Sequence, residues 1–268
     1  MKKVNLIFGT MLLAGAALIF SCKSTSNNAA SDSAAADTLK PVVETPNTLT
    51  DAEKAEGWTL LFDGTTSTGW RGYNKTAFPD SGWEVVDGTL HCLETGTGEA
   101  GMGGDIIYDK KFKDFELSLE WKVGPGGNSG IFYLAQEKKG QPIWKSSPEY
   151  QVLDNAKHPD AKLGKDGNRQ AGSLYDLIPA VPQNSKPAGE WNKAGIMVYQ
   201  GTVVHYMNGE KVLEYHLWTE DWKKMINESK FKGWDDFLNA GGKEKQGFIG
   251  LQDHGNDVWY RSIKIRTL

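Results

Sequence analysis

Cysteine is nearly absent: Cys22 and Cys92 are the only two in 268 residues. If Cys22 belongs to a processed N-terminus, no intramolecular disulfide can form. Cysteine-based zinc sites are excluded as well. The five histidines (His91, His158, His205, His216, His254) show no H-x-x-x-H or H-x-H spacing, so a catalytic metal is not expected. Basic tracts are missing too. The net charge is −4 with signs interspersed, which argues against nucleic acid as a partner. No glycine fingerprint leads from a strand into a helix, so a nicotinamide cofactor is not expected. Cys92, within "GTLHCLE", reads as a strand residue without chemistry.

Long apolar runs are scarce. The one at the start, Leu6 to Phe20, is too short for a comfortable membrane span. It follows Lys2 and Lys3 and precedes Ser21-Cys22, the layout of a signal peptide. It resembles a bacterial lipoprotein signal with Ile19-Phe20-Ser21-Cys22 as the lipobox, although Phe20 is atypical there. Cys22 would then be acylated and the protein held in the cell envelope by lipid alone, facing the periplasm. Residues 22–55 are rich in Ser, Thr, Asn and Ala without apolar period and read as a flexible tether. The expected organisation is signal 1–21, tether 22–55 and one folded domain 56–268.

What the domain does have is short strands between glycine-rich turns. "WEVVDGTLHCL" (83–93) is a hairpin with Asp87-Gly88 at its tip, and Asn208-Gly209 marks another. "DFELSLEWKV" (114–123) alternates, with Phe115, Leu117, Leu119 and Trp121 on one face and Glu116, Ser118, Glu120 and Lys122 on the other. "SGIFYLAQ", "EYQVLDN", "QGFIGLQDHG" and "VWYRSIKIRTL" continue the series. One helix is expected over 219–230, with Thr219 as N-cap. The pattern predicts an all-β antiparallel sandwich or barrel.

The segment "EYQVLDNAKHPD" (149–160) carries more polar groups than a strand end requires. Tyr150 and Val152 suit a core face, which leaves Glu149 and Gln151 on an open face able to hydrogen-bond a sugar. Asp154 falls where the strand ends and His158 in the loop beyond. "GPGGNSG" (124–130) lets backbone approach a ligand closely and offers Asn128 and Ser129. "GSLYDL" (172–177) joins Tyr175 to Asp176. "LQDHGNDVWYR" (251–261) holds Gln252, Asp253, His254, Asp257 and Arg261 in one short span.

Taken in order, "GNSGIFY", "EYQVLDN", "GSLYDLIPA", "GEWN", "VVHYMNG" and "GFIGLQDHGNDVWYRSIKIR" closely resemble the 3-keto-disaccharide hydrolase family, over about Gly57 to Leu268. The resemblance implies a concanavalin A-like jelly-roll sandwich of two antiparallel sheets, here with one short helical insertion. It also implies action on glycosides oxidised to a ketone at C3. Matched positions become site candidates: Glu149, His254, Asp154, Tyr175 and Arg261 for catalysis, and Asn128, Gln151, His158, Gln252 and Glu120 for binding. Two departures, Leu134-Ala135 where an Arg is frequent and Ser262 where Asn is frequent, bear on the leaving group more than on the fold.

A C3 ketone acidifies the C2 hydrogen. A base can take that proton, and the resulting enolate can expel the C1 oxygen. The site then needs a base, an acid for the leaving oxygen and donors for the enolate. Glu149 or His254 is the expected base, and Arg261 or Tyr175 the expected enolate donor. A retaining glycosidase would instead need two carboxyl groups about 5–5.5 Å apart. No E-x-D-x-x-E motif is present, and Glu149 and Asp154 sit an odd interval apart. No cofactor is expected, although "HGND" (254–257) could hold a structural calcium ion. A separate oxidoreductase would have to make the ketone. The competing reading is a non-catalytic sugar-binding module of the same fold.

Overall fold

The computed structural model describes residues 45–95 and 101–268. Among these residues the strands form two antiparallel sheets. The larger has eight strands, in spatial order β11 (Glu210–His216), β10 (Thr202–Met207), β9 (Asn192–Tyr199), β6 (Phe115–Val123), β13 (Val258–Thr267), β4 (Thr89–Cys92) and β3 (Trp83–Val86), with β1 (Thr59–Leu60) also paired to β13. The smaller has five: β2 (Trp70–Gly72), β5 (Ile106–Phe112), β12 (Gly247–Leu251), β7 (Asn128–Ala135) and β8 (Glu149–Leu153). The expected two-sheet sandwich is therefore observed.

Turn chemistry sets the hairpins. Asp87-Gly88, Gln200-Gly201 and Asn208-Gly209 all have both residues at positive φ. That is the two-residue turn whose twist matches paired strands. Alternation sets the faces. Along β6 every second residue from Phe115 to Val123 is buried and those between are partly open. Trp121, Tyr150 and Tyr260 are completely buried between the sheets. Each such aromatic contributes roughly 2–3 kcal/mol of apolar burial.

Polar side chains also cross the core. Tyr260 on the large sheet donates to Ser129 Oγ at 2.7 Å, and Ser129 donates to the Gln252 carbonyl at 2.6 Å. The Tyr133 hydroxyl meets His205 Nε2 at 2.8 Å and the Tyr215 hydroxyl at 2.6 Å, while His205 Nδ1 meets the Gly172 carbonyl at 3.0 Å. Burial pushes His205 down to about 4. A neutral imidazole donating from Nδ1 to Gly172 accepts the Tyr133 proton at Nε2, so each of these buried groups is matched.

The outward face of the small sheet positions the site. Ile107, Phe132, Ala135, Ile143 and Phe248 form a satellite apolar cluster there, apart from the main core. A 3-10 turn over Ile143–Lys145 covers it. Next to it folds the helical insertion, α2 (Glu220–Asn227) and α3 (Asp235–Leu238). The Trp222 N–H donates to the Thr219 hydroxyl at 3.1 Å, the expected N-cap. Phe231 stacks on Phe237 with centroids 4.4 Å apart, and Phe237 on Trp222 at 5.8 Å.

One boundary differs from expectation. Residues expected in the tether include helix α1 (Asp51–Ala55), closed by a Thr50–Glu53 capping box. Asn47 is anchored as well, donating to the Gly88 carbonyl at 2.8 Å and accepting from the Ser262 N–H at 2.8 Å. Polar composition masked a local cap and an anchor, Asn47, whose partners Gly88 and Ser262 lie 41 and 215 positions away. The signal segment, Cys22 and the expected tether up to residue 44 lie outside the described residues.

Candidate active site

Glu149 opens β8, faces Phe132 of β7 across the ladder and projects outward. Its carboxylate folds over Gly130. A Cβ at Gly130 would lie 2.1 Å from Glu149 Oε1, so the missing side chain makes room for the acid. A cavity of about 350 Å³ opens there. Glu149, Ser147, Tyr175 and His254 line it together with Trp144, Lys230, Phe231, Trp234 and Phe237. The chain thus brings together three of the five expected catalytic side chains, from β8, the 172–178 segment and the loop after β12.

Only 7 % of Glu149 is exposed. Desolvation pushes it up to about 8, further raised by the charges of Asp105 and Asp160 and held back by Lys230. At neutral pH it is mainly protonated. Tyr175 donates to Asp160 Oδ2 at 2.8 Å, and Asp160 is held by Arg169 at 2.7 Å. Arg169 also binds Asp176, whose second oxygen lies 3.4 Å from Lys230. Lys230 Nζ sits 4.2 Å from the Tyr175 ring centre. Burial lowers its pKa, opposed by Asp176. The His254 ring meets that of His158 edge-on at 5.9 Å.

The opposite wall is aromatic. Trp144 lies 5.3 Å from Trp234, and Lys145 Nζ is 3.4 Å from the Trp234 ring centre. These rings and Lys230 were not singled out from the sequence. Trp144 lies between strands and Lys230 just after a helix, and neither position carries a periodic signal. They meet only because the insertion folds back over the sheet.

Other candidates have different surroundings. Gln151 Nε2 donates to Asn128 Oδ1 at 2.9 Å one row from Glu149, leaving Gln151 Oε1 buried without a partner. His158 sits beside His254 as a rim residue, its Nδ1 accepting from the Asp160 N–H at 3.2 Å. The main chain of Gln252 continues β12, its N–H donating to the Gly130 carbonyl at 2.9 Å.

Seven of the ten expected catalytic or binding residues do not line the cavity: Asn128, Gln151, His158 and Gln252, and with them Asp154, Arg261 and Glu120. Asp154 is buried, with Oδ2 accepting from the Gly126 N–H at 2.8 Å and Oδ1 from the Ala156 N–H at 3.0 Å. It shapes the loops. Arg261 and Glu120 pair at 2.8 Å on the large sheet, facing away from Tyr260 and Trp121, which point into the core. The whole sandwich separates them from Glu149. Arg261 stacks 4.0 Å from the Trp191 ring centre instead.

The acids around the "HGND" loop are also engaged. Asp253 accepts from the Gly103 and Gly104 N–H groups at 2.9 Å and from that of Gly255 at 3.0 Å. Asp257 Oδ1 accepts from the Glu94 N–H at 3.0 Å and meets His91 Nε2 at 3.0 Å. Main-chain hydrogen bonds account for this density of acids, and among the described residues no three His, Cys, Asp or Glu side chains converge as metal ligands.

A two-sheet sandwich with a buried carboxyl group, an imidazole and an ammonium in one aromatic-walled cavity has the groups needed to stack a ring and exchange protons with it. The chain belongs to the family described as 3-keto-alpha-glucoside-1,2-lyase-like, whose model matches residues 57–266. It is 57% identical over 231 residues to a 3-keto-disaccharide hydrolase of Bacteroides thetaiotaomicron, covering 80% of this chain and 79% of that protein. A solved structure of a candidate glycosyl hydrolase from Parabacteroides distasonis aligns with TM-score 0.72 at 32% identity, over 84% of this chain and all of that one. A second from the same organism aligns with TM-score 0.59 at 26% identity, over 79% and 99%.

Proposed function

We propose that this protein cleaves the glycosidic bond of 3-keto-disaccharides by elimination, with water adding afterwards. Family membership names the substrate class. The observation that carries the mechanism is the placement of Glu149, a buried carboxyl group lining the same cavity as His254 and Lys230, where desolvation raises its pKa to about 8.

The ketone ring lies against the aromatic wall with its C1–C2 edge towards Glu149 and His254. His254 removes the C2 proton. Electrons pass into the C3 carbonyl, and the ammonium of Lys230 stabilises the developing enolate oxygen. Collapse of the enolate breaks the C1–O bond, and Glu149 gives its proton to the departing oxygen. The products are the released sugar and a 3-keto ring with a C1=C2 double bond. Water then places hydroxyl on C1 and hydrogen on C2, completing net hydrolysis. No nucleophilic carboxylate takes part.

Incubation with a 3-keto-disaccharide and with its unoxidised parent, followed by NMR, tests this. Cleavage of the keto form alone is expected, with an unsaturated ketone seen before hydration. Equal rates on both would indicate a conventional glycosidase, and binding without turnover a sugar-binding module.

A separate oxidoreductase would install the ketone. The lipobox-like Ile19-Phe20-Ser21-Cys22 supports anchoring by acylated Cys22 at the periplasmic face. Palmitate label retained in Cys22→Ser would contradict the anchor.

A further inference from the structure

Asp105 precedes β5, whose first residue, Ile106, points into the core. Alternation then puts Asp105 on the outward face of the small sheet, the face that carries Glu149. The rows connect across three strands. Ile106 pairs with Leu251, and Leu251 with Ile131. One position further, Gln252 bonds to Gly130, the residue over which the Glu149 carboxylate folds. Asp105 Oδ1 accepts from the Asp253 N–H at 3.0 Å, one residue before His254. A single carboxyl group therefore grips the turn that presents the imidazole and faces the acid across the same sheet.

We propose that Asp105 is a positioning residue of this site, anchoring the His254 turn through the Asp253 amide and acting as a like charge on Glu149. The assignment deepens the acid–base reading above and rests on it for its catalytic meaning. Asp105 does not line the cavity, and nothing in the mechanism so far uses it.

The electrostatics agree with the geometry. Desolvation and the charge of Asp253 push Asp105 up to about 7, against the Asp253 N–H bond that favours its ionised form. The charged neighbours of Glu149 are Lys230 from the insertion, Asp160 from the loop after β8 and Asp105 from β5, with His254 and Tyr175 in the same cavity. Beside Asp105 lie Asp253, Cys92 and Tyr73. Lys230 draws the proton off Glu149; Asp105, once ionised, opposes that. Both carboxyl groups sit on the outward face of the small sheet, so ionising one opposes ionising the other.

Asp105→Asn separates the two roles, because the amide oxygen still accepts from Asp253 while the charge is gone. The experiment follows Glu149 by carbon-13 NMR of labelled carboxyl groups, assigned with Glu149→Gln, beside the pH profile of kcat/KM on a 3-keto-disaccharide. In Asp105→Asn the Glu149 midpoint is expected to fall by about one pH unit. The alkaline limb of kcat/KM should fall with it. Asp105→Ala, which also frees the Asp253 amide, should lose at least about tenfold more in kcat than the Asn variant. In the unaltered protein the Glu149 titration should show two steps, a readout that needs no variant. A single-step curve, a midpoint unmoved in Asp105→Asn, or equal kcat in the two variants would overturn the assignment. The titration needs no turnover, so an inactive wild type would defeat the functional reading and leave the coupling decided on its own.

Discussion

Tyr175 gives its hydroxyl proton to Asp160, at 2.8 Å. A phenol has one proton to donate, so Tyr175 cannot also donate to an enolate in this arrangement. Burial and the bond to Asp160 raise its pKa further, which keeps the proton in place. Lys230, with an ammonium over the same ring and paired with Asp176 at 3.4 Å, keeps further N–H groups to donate into the cavity it lines. Lys230→Met should therefore lower kcat by about 10²-fold or more, the scale of losing a donor to a developing oxyanion. Tyr175→Phe should cost less than about tenfold, acting through the Asp160–Arg169 support. Steady-state kinetics of the two variants side by side decide it; the reverse order would return the donor role to Tyr175.

Glu149 links activity to stability. Its folded pKa, about 8, stands above the ordinary value of 4.5, so the folded state binds the extra proton between these two pH values. Folding stability contributed by this group is full below about pH 4.5 and is lost as pH rises through 8. The spread corresponds to roughly 3–5 kcal/mol against the folded state at alkaline pH. Glu149→Gln should accordingly melt higher than the wild type at pH 9, with the gap closing towards pH 5, while turnover falls by at least about 10²-fold. Thermal unfolding across pH checks the first part. A constant difference in Tm would mean that Glu149 is not held protonated by burial.

Much of the scaffold was legible because its signals are local. The Asp87-Gly88 and Asn208-Gly209 turns and the alternation of β6 depend on neighbours in sequence. Strand β5 was not. Its Ile106-Ile107 pair meets the core on one side and the satellite cluster on the other, and its later residues reach solvent, so no period-two pattern forms. The site was legible in part for the same reason. Alternation showed that Glu149 and Glu120 each leave a core face, but not that their sheets face opposite ways. Only the pairing of β6 with β13 shows why Glu120 and Arg261 meet each other rather than a substrate.

Arg261 offers a direct check of that placement. It pairs with Glu120 and covers Trp191 on the outer face of the large sheet. Arg261→Ala should leave kcat/KM within about twofold of wild type. It should cost no more than about 1 kcal/mol of stability, the usual range for a partly exposed pair. Unfolding in urea and initial rates on the keto substrate measure the two. A hundredfold drop in turnover would put the guanidinium back in the reaction.

The sharpest geometric prediction concerns Gly130. It sits within β7, where glycine ordinarily weakens a strand and a side chain would be favoured. An alanine methyl would arrive 2.1 Å from Glu149 Oε1 and 2.7 Å from its carboxyl carbon, closer than any real contact. The backbone there is paired on both sides, to β8 and to the extension of β12. It cannot move away, and the glutamate side chain is the group free to yield. Gly130→Ala should therefore fold, with stability lowered by about 1–3 kcal/mol from crowding. Turnover should fall by about 10²-fold, because an acid displaced by an ångström no longer meets the leaving oxygen. Circular dichroism with kinetics tests it, and Gly130→Ala combined with Glu149→Gln completes the argument. If the methyl acts only by displacing the carboxyl group, the double variant should be no slower than Glu149→Gln alone. Independent, multiplying losses would show that Gly130 serves the substrate in some other way.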